Sequence, residues 1–400
     1  MTVTEPISYP TADLPRLDPE PLLRRLRDEQ PLVRVRLPYG EPTWLATRYE
    51  DVRTVLSDPR FSRALAVGRD EPRVRRYTGD GSTILSLDPP DHSRLRRLVS
   101  KAFTMRRVED LRARAQEIAD DLVDRVLAAG PPTDLVDDFA LPLPITVICE
   151  LLGVPVEDRQ DFRVWSDAFL STTRYTEQEV LDNVAAMRRY VAGLIVQRRV
   201  AAQDDLISGL VAARDEDDRL SEDELLSLIQ AILIAGHETT ATQIPNFVYV
   251  LLTHPAQLAE LRSDLDLVPR AVEELMRYVP LGAGAGIARY AAEDVTLSGV
   301  TVHAGEPVVA SLPSANRDPA IYPEPDRLDL HRQTPAPHVG FGYGPHHCLG
   351  ASLARMELQV ALRTLLTRLP ELRFAGTDDD VTWKQGLSTR GPEHLQLTWD

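Results

Sequence analysis

The segment FGYGPHHCLG, Phe341 to Gly350, puts one of the chain's two cysteines into a loop bent by two glycines and a proline, directly after a His pair. A structural cysteine usually behaves as a small hydrophobe, yet no apolar periodicity surrounds Cys348. A helical pattern, SLARMELQVALRTLLTRL, starts just beyond it. The sulfur therefore precedes a helix start, where free N–H groups and the helix dipole favour a thiolate. Gly342, Gly344 and Gly350 allow bends closed to other residues and a close approach to a flat ligand. A thiolate held in this way suits the axial position of haem iron. The competing reading is a zinc site built from His338, His346, His347 and Cys348. Adjacent ligands without a C-x-x-C or H-x-x-x-H companion make poor chelate spacing for it.

Outward from this loop, the 400-residue chain has 43% apolar and 26% charged residues, an ordinary balance for a globular protein with a sizeable core. No linker, repeat or low-complexity tract interrupts it, so a single domain, 1–400, is expected. A net charge of −16 argues against nucleic acid as a partner. Two cysteines are too few for a disulfide framework. The start, MTVTEPISYP, lacks a basic region followed by an apolar one, and no run reaches the roughly 18 apolar residues of a membrane span. A cytoplasmic, membrane-free monomer is the expectation.

Periodicity predicts a mainly α fold with a minor β-sheet region. Helices are expected over 20–30, 49–58, 91–103, 107–129, 143–152, 159–171, 177–200, 204–213 and 269–279. The longest should run from a capping box at Ser221 through LLSLIQAILIAGHETTATQ to VYVLL, with Pro245 kinking it or ending its regular bonding. VRVRL, TWLAT, GIARY, VTLSG and VVASL read as strands, and residues 62–87 as irregular.

Three further constellations carry chemistry. AGHETT, Ala235 to Thr240, sets polar residues in the middle of an apolar helix. Threonines bonding back to i−4 carbonyls would explain them without function. A small pair followed by an acid and hydroxyls instead offers room for a diatomic ligand and a proton path. A zincin reading of His237-Glu238 fails, because Ala241 stands where a second histidine is needed. EELMRY pairs Glu274 with Arg277 at helical i, i+3 spacing. In DPPDHSRLRR, His92 and Arg96 share a helix face suited to a carboxylate or phosphate.

AGHETT, then E-x-x-R, then F-G-x-G-x-H-x-C-x-G, in that order, resemble the cytochrome P450 superfamily, in its soluble bacterial style, over essentially the whole chain. The resemblance implies haem b (iron protoporphyrin IX) with Cys348 as axial ligand, Phe341 beside the sulfur, and Gly344 and Gly350 shaping the loop. His92, Arg96, Arg289 and His346 would bind the two propionates. Thr239 matches the oxygen-activating threonine and Glu238 the acid relaying protons to it. Glu274 and Arg277 would form a structural ion pair completed by a downstream arginine, Arg327 by choice, with Arg332 as the alternative.

The implied activity is monooxygenation of a small molecule with O2. The chain shows neither a flavin fingerprint nor an iron–sulfur cysteine cluster, so a ferredoxin and ferredoxin reductase would supply electrons. The basic run from Arg94 to Arg107 is the expected dock. Substrate would lie against Trp165, Phe169, Leu170 and Leu387, and against the helix face at Ile232, Ala235 and Gly236. Gly282, Ala283, Gly284, Ala285 and Ile287 would complete the pocket. The small residues there favour a bulky substrate, such as a secondary metabolite of antibiotic biosynthesis. Two rivals remain open: an oxidase of the same fold that couples C–C or C–N bonds without inserting oxygen, and a haem protein that binds without catalysis.

Overall fold

The computed structural model describes residues 5–10, 14, 16–77, 81, 83–155, 158–215, 219–282 and 284–400. The chain forms two compact units, residues 1–94 with 273–348, and residues 95–272 with 349–400.

The first unit is built on a sheet of six strands in the order Ile7–Ser8, Leu32–Arg36, Thr43–Ala46, Pro307–Ala310, Arg289–Ala291, Phe61–Ser62. Alternation gives it two buried faces. Val35, Leu45 and Val309 pack with Tyr9 and Leu23 on one side. Ala46, Val308 and Ala310 pack on the other with Tyr49, Val52 and Leu56 of the helix Tyr49–Ser57. The hairpin joining Leu32–Arg36 to Thr43–Ala46 turns through Gly40, at φ +85°, where a Cβ would come within 2.2 Å of the Glu71 carbonyl oxygen. No side chain fits there.

The second unit is helical and centred on Glu222–Leu252, a helix of 31 residues. It packs against Pro142–Leu152, Glu177–Val200 and Ala351–Arg368. Ser221 and Thr176 each start a helix with a complete capping box, which satisfies orphan N–H groups on both sides of the turn. The long helix does not end at Pro245, which is buried within it. One missing N–H costs less than the apolar packing around that turn returns.

The mainly α fold and the principal elements follow the sequence expectations. The helices Pro255–Ser263 and Leu312–Ala315 were not anticipated, nor were the two- and three-residue strands near the carboxy terminus. Residues 62–87 carry short 3-10 turns at Ala64–Ala66 and Ile84–Ser86. Residues 78–80 and 82 of that stretch lie outside the described residues.

Candidate active site

The cysteine loop is shaped by two left-handed glycines, Gly342 at φ +73° and Gly344 at φ +71°. A Cβ on Gly344 would approach the Leu56 carbonyl oxygen to 2.4 Å. Gly350 differs: it caps the helix Ala351–Arg368 at φ −85°, and nothing in the protein lies within 4 Å of where its Cβ would be. The Cys348 N–H donates to the Phe341 carbonyl at 2.9 Å, closing the loop on itself. The Cys348 side chain is exposed, whereas Cys149 is fully buried in the helix Pro142–Leu152. The Phe341 ring lies 5.8 Å from that of His338 and 6.4 Å from that of His347, centre to centre. His338 is committed to Glu273 (3.1 Å) and to the Gly340 N–H (3.0 Å), which removes it from the zinc alternative.

Beside the loop stands a cluster of two histidines and two arginines, His92, His346, Arg289 and Arg63. The His92 and His346 rings are 4.2 Å apart. Burial, then the neighbouring His92, Arg289 and Arg63, pushes His346 down to about 3. Arg289 is 6% exposed and has no ion-pair partner among the described residues. Burial and Arg63 bring its guanidinium down to about 10, with Asp88 acting the other way. Asp88 is already engaged by the Ser62 hydroxyl and the backbone N–H groups of Arg63 and Ala64. Buried positive charge without a matching anion is costly, so the Arg289 guanidinium suits an anionic ligand. Arg96 is half-buried, four residues beyond His92 in the helix Asp91–Ser100.

In the long helix, almost every side chain from Leu225 to Leu251 is buried, but Ala235 is exposed and Gly236 and Thr239 are half-buried. Ala235 and Thr239, four apart, form a narrow open strip. The Thr239 hydroxyl donates to the Ala235 carbonyl at 2.9 Å. Ile232, expected on the same face, is buried. A Cβ on Gly236 would meet the Ile148 side chain at 2.6 Å, so its smallness serves helix packing, not only access.

Glu238 is 2% exposed and accepts from Lys384 Nζ at 2.6 Å and from the Thr242 hydroxyl at 3.1 Å. Burial works to raise its carboxyl, but Lys384, with His237 and Thr242, holds it below the ordinary value. The sequence reading missed Lys384. Its signal was composition: Lys101 and Lys384 are the only lysines in the chain.

Glu274 and Arg277 are both buried and doubly bonded, Nε to Oε2 at 2.7 Å and Nη2 to Oε1 at 2.8 Å. The third member is Arg332, whose Nε reaches Glu274 Oε1 at 3.0 Å. Arg327, the first choice, is corrected. Its side chain is 61% exposed and pairs with Glu324. It contributes only its carbonyl, which accepts from Arg277 and Arg332.

The cytochrome P450 family model matches residues 176–389. Mycinamicin IV hydroxylase/epoxidase of Micromonospora griseorubida is 53% identical over 399 residues, 100% of both chains. Nocardicin C N-oxygenase of Nocardia uniformis subsp. tsuyamanensis is 53% identical over 400 residues, again 100% of both. The chain belongs to the cytochrome P450 family. A crystal structure of HinD with NMFT and NO superposes on this P450 with a TM-score of 0.96 at 50% identity, covering 99% of this chain and 100% of that one.

Family membership makes the protein a haem-iron monooxygenase that uses O2 on a small-molecule substrate. The residues present fit that cofactor. The buried guanidinium of Arg289, with the His92 and His346 rings as hydrogen-bonding neighbours, suits a carboxylate ligand, and Gly350 leaves side-chain space that neither its φ nor a protein neighbour accounts for.

The expected substrate residues of this P450 divide. Trp165 packs its ring on Phe162 and Tyr190, at 5.6 and 5.4 Å, as part of helix–helix packing. Phe169 and Leu170 are half-buried. Leu387 bridges to Ser171, and the Ser388 N–H donates to the Leu170 carbonyl at 2.9 Å, so these two segments do meet. Part of the small run beyond Leu281 answers to packing within the sheet region. Gly284 sits at φ +88° with Tyr9 Oη 2.2 Å from its Cβ position. Ala285 packs on the sheet core, and a Gly286 Cβ would lie 3.0 Å from the Ala310 carbonyl oxygen. Gly282 is half-buried and Ile287 is 39% exposed. Ala283 lies outside the described residues.

Proposed function

We propose that this P450 hydroxylates, epoxidises or N-oxygenates a bulky secondary metabolite of antibiotic biosynthesis, acting in the cytoplasm as a single-domain monomer with haem b. Cys348 would hold the iron, with Phe341, Gly344 and Gly350 shaping its loop. His92, Arg96, Arg289 and His346 would bind the propionates. The bound haem supplies oxygen activation. The chain's own contribution is proton handling: the Thr239 hydroxyl would orient a proton at the open strip of the long helix, and the neighbouring Glu238 carboxylate would take up the next proton and pass it on. That juxtaposition of a half-buried hydroxyl and a buried acid at the open strip of a largely buried helix carries the reading. A protein that only stored haem would not need it.

Electrons would come from a ferredoxin and its reductase. Arg97, Lys101, Arg106 and Arg107 are exposed on a chain of net charge −16, a local basic surface suited to an acidic donor. Screening metabolites for substrate-induced shifts of the haem spectrum identifies a substrate. Turnover under isotopically labelled O2 should then give a product carrying one labelled oxygen. Unlabelled, coupled products would replace this reading with the coupling oxidase.

A further inference from the structure

The turn between the helices Arg159–Leu170 and Glu177–Val200 spends its backbone N–H groups in an unusual way. Three consecutive ones, of Thr172, Thr173 and Arg174, converge on a single distant carbonyl, that of Gly386, at 2.8, 3.2 and 3.1 Å. On either side, the Ser171 N–H donates to the Ala168 carbonyl, the Tyr175 N–H to the Ser171 hydroxyl and the Thr176 N–H to Glu179. Every N–H from Ser171 to Thr176 thereby has an acceptor. Successive N–H groups aimed at one oxygen form a concave nest with a positive interior. Gly386 is shaped to enter it. Its φ is +67°, and a Cβ would lie 2.7 Å from the Arg174 nitrogen and 2.8 Å from Thr173 Oγ1. Only glycine brings its carbonyl into that nest.

The loop that carries Gly386 has two attachments of different character. At its base it is fixed to the long helix. The Lys384 N–H closes the loop on the Gly391 carbonyl at 2.9 Å, Lys384 Nζ reaches Glu238, and the Asn246 side-chain amide donates to the Arg390 carbonyl at 2.9 Å. Glu238 and Asn246 are buried, and Asn246 Oδ1 lies 2.8 Å from the Cβ position of Gly391, so this end cannot shift without opening the core. At the tip the bonds run from backbone to backbone: the nest on Gly386, and the Ser388 N–H on the Leu170 carbonyl at 2.9 Å. Thr173 is exposed and Gly386, Leu387 and Ser388 are half-buried. Water can replace these bonds when the tip swings away, as it does wherever exposed backbone bonds open locally.

The tip also lies close to the open strip of the long helix. Leu387 is three residues from Lys384, a span of about 10 Å at most, and Lys384 is bonded to Glu238, next to Thr239.

We infer that the Gly386 carbonyl in its nest is a latch. It fastens the tip of residues 384–391 to the end of the helix Arg159–Leu170, and bulky ligands of the haem pocket enter and leave only when it is released. The ligand class is a multi-ring molecule too large to pass while Leu170 and Leu387 are joined; a diatomic gas or a single small ring passes with the latch shut. The inference rests on the substrate reading of Leu170 and Leu387. No covalent bond changes. Opening trades the three nest bonds and the Ser388 bond for bonds to water, while the buried base stays in place.

The test uses the full-length haem-loaded protein and two iron-ligating azoles, imidazole and the bulky triaryl imidazole clotrimazole. Gly386→Ala should speed amide hydrogen exchange over residues 172–174 and the release of clotrimazole, each by roughly 10-fold. Its imidazole release and reduced carbon-monoxide spectrum should match the wild type. A second variant holds the latch shut. Ser171 and Leu387 face each other across an antiparallel bridge, a spacing that a disulfide can span. Oxidised Ser171→Cys/Leu387→Cys should release clotrimazole about 10-fold or more slowly than the same protein reduced, with imidazole unaffected. If Gly386→Ala does not fold, the cysteine pair decides. Failure of that pair to oxidise, or equal clotrimazole release in its two redox states, overturns the inference. Faster exchange in Gly386→Ala without faster clotrimazole release overturns it too, by assigning the nest to structure. So does an equal change for both azoles, which would place the effect at the haem. A wild-type carbon-monoxide complex without the thiolate Soret band would fail the parent reading instead, whatever the azole rates show.

Discussion

Glu274 holds two arginines at once; helical spacing pointed to Arg277, and Arg332 stood only as the alternative to Arg327. The helical spacing of Glu274 and Arg277 announced their pair, while Arg332 lies in the irregular stretch PDRLDLHRQ, where spacing carries no geometry. The nearby Arg327 offered the same side chain and enters the network through its carbonyl alone. Removing Arg332 leaves part of a buried carboxylate uncompensated. Arg332→Ala should therefore cost about 3–5 kcal/mol in urea unfolding, whereas Arg327→Ala should stay within about 0.5 kcal/mol. Similar losses from both would mean that the exposed Arg327–Glu324 pair matters more than its geometry allows. The proposed role of Thr239 is testable at the same scale. Thr239→Ala should leave haem content and substrate binding intact while reductant consumption yields hydrogen peroxide in place of product. Thr240→Ala should do less, since it points about 100° further around the helix. Full coupling in Thr239→Ala would remove it as the proton donor.

The long helix was legible in its cap and its apolar run because both are local signals. Its extension to VYVLL was legible too, but whether Pro245 would end its regular bonding was not, since packing from distant parts of the chain decides that. The helix Pro255–Ser263 was missed for a related reason: PAQLAELRS has weak amphipathic contrast and buries only Leu258 and Leu261. The short strands fell below the length at which alternation can be read. Gly236 shows how an element can mislead. Read as an oxygen groove, its glycine would be a functional cost. In the structure its missing Cβ admits the Ile148 side chain. Gly236→Ala gains about 1 kcal/mol of helix propensity but incurs overpacking of about 1–3 kcal/mol. Thermal unfolding should show no net stabilisation, and Ile148→Val added to it should recover stability. A clearly stabilised single variant would return Gly236 to the groove.

At the scale of the whole molecule, the chain is acidic and its exposed basic residues at Arg97, Lys101, Arg106 and Arg107 stand out against that field. Reversing charge at Arg97 or Lys101 should slow reduction by a ferredoxin and flatten its salt dependence. Peroxide-driven turnover should be nearly unchanged, and equal loss in both assays would assign these residues to folding or haem binding. The cysteine loop, the histidine–arginine cluster and the long helix were visible in sequence because each is a compact motif. The substrate pocket was not, because small residues such as Gly284 answer to Tyr9 and the sheet core instead of to a ligand. The account as a whole depends on which sulfur holds the iron. The reduced carbon-monoxide complex measures that most directly. The wild type and Cys149→Ala should show the red-shifted Soret band of thiolate ligation, and Cys348→Ala should lose it. Retention of that band in Cys348→Ala, or its loss in Cys149→Ala alone, would contradict the account.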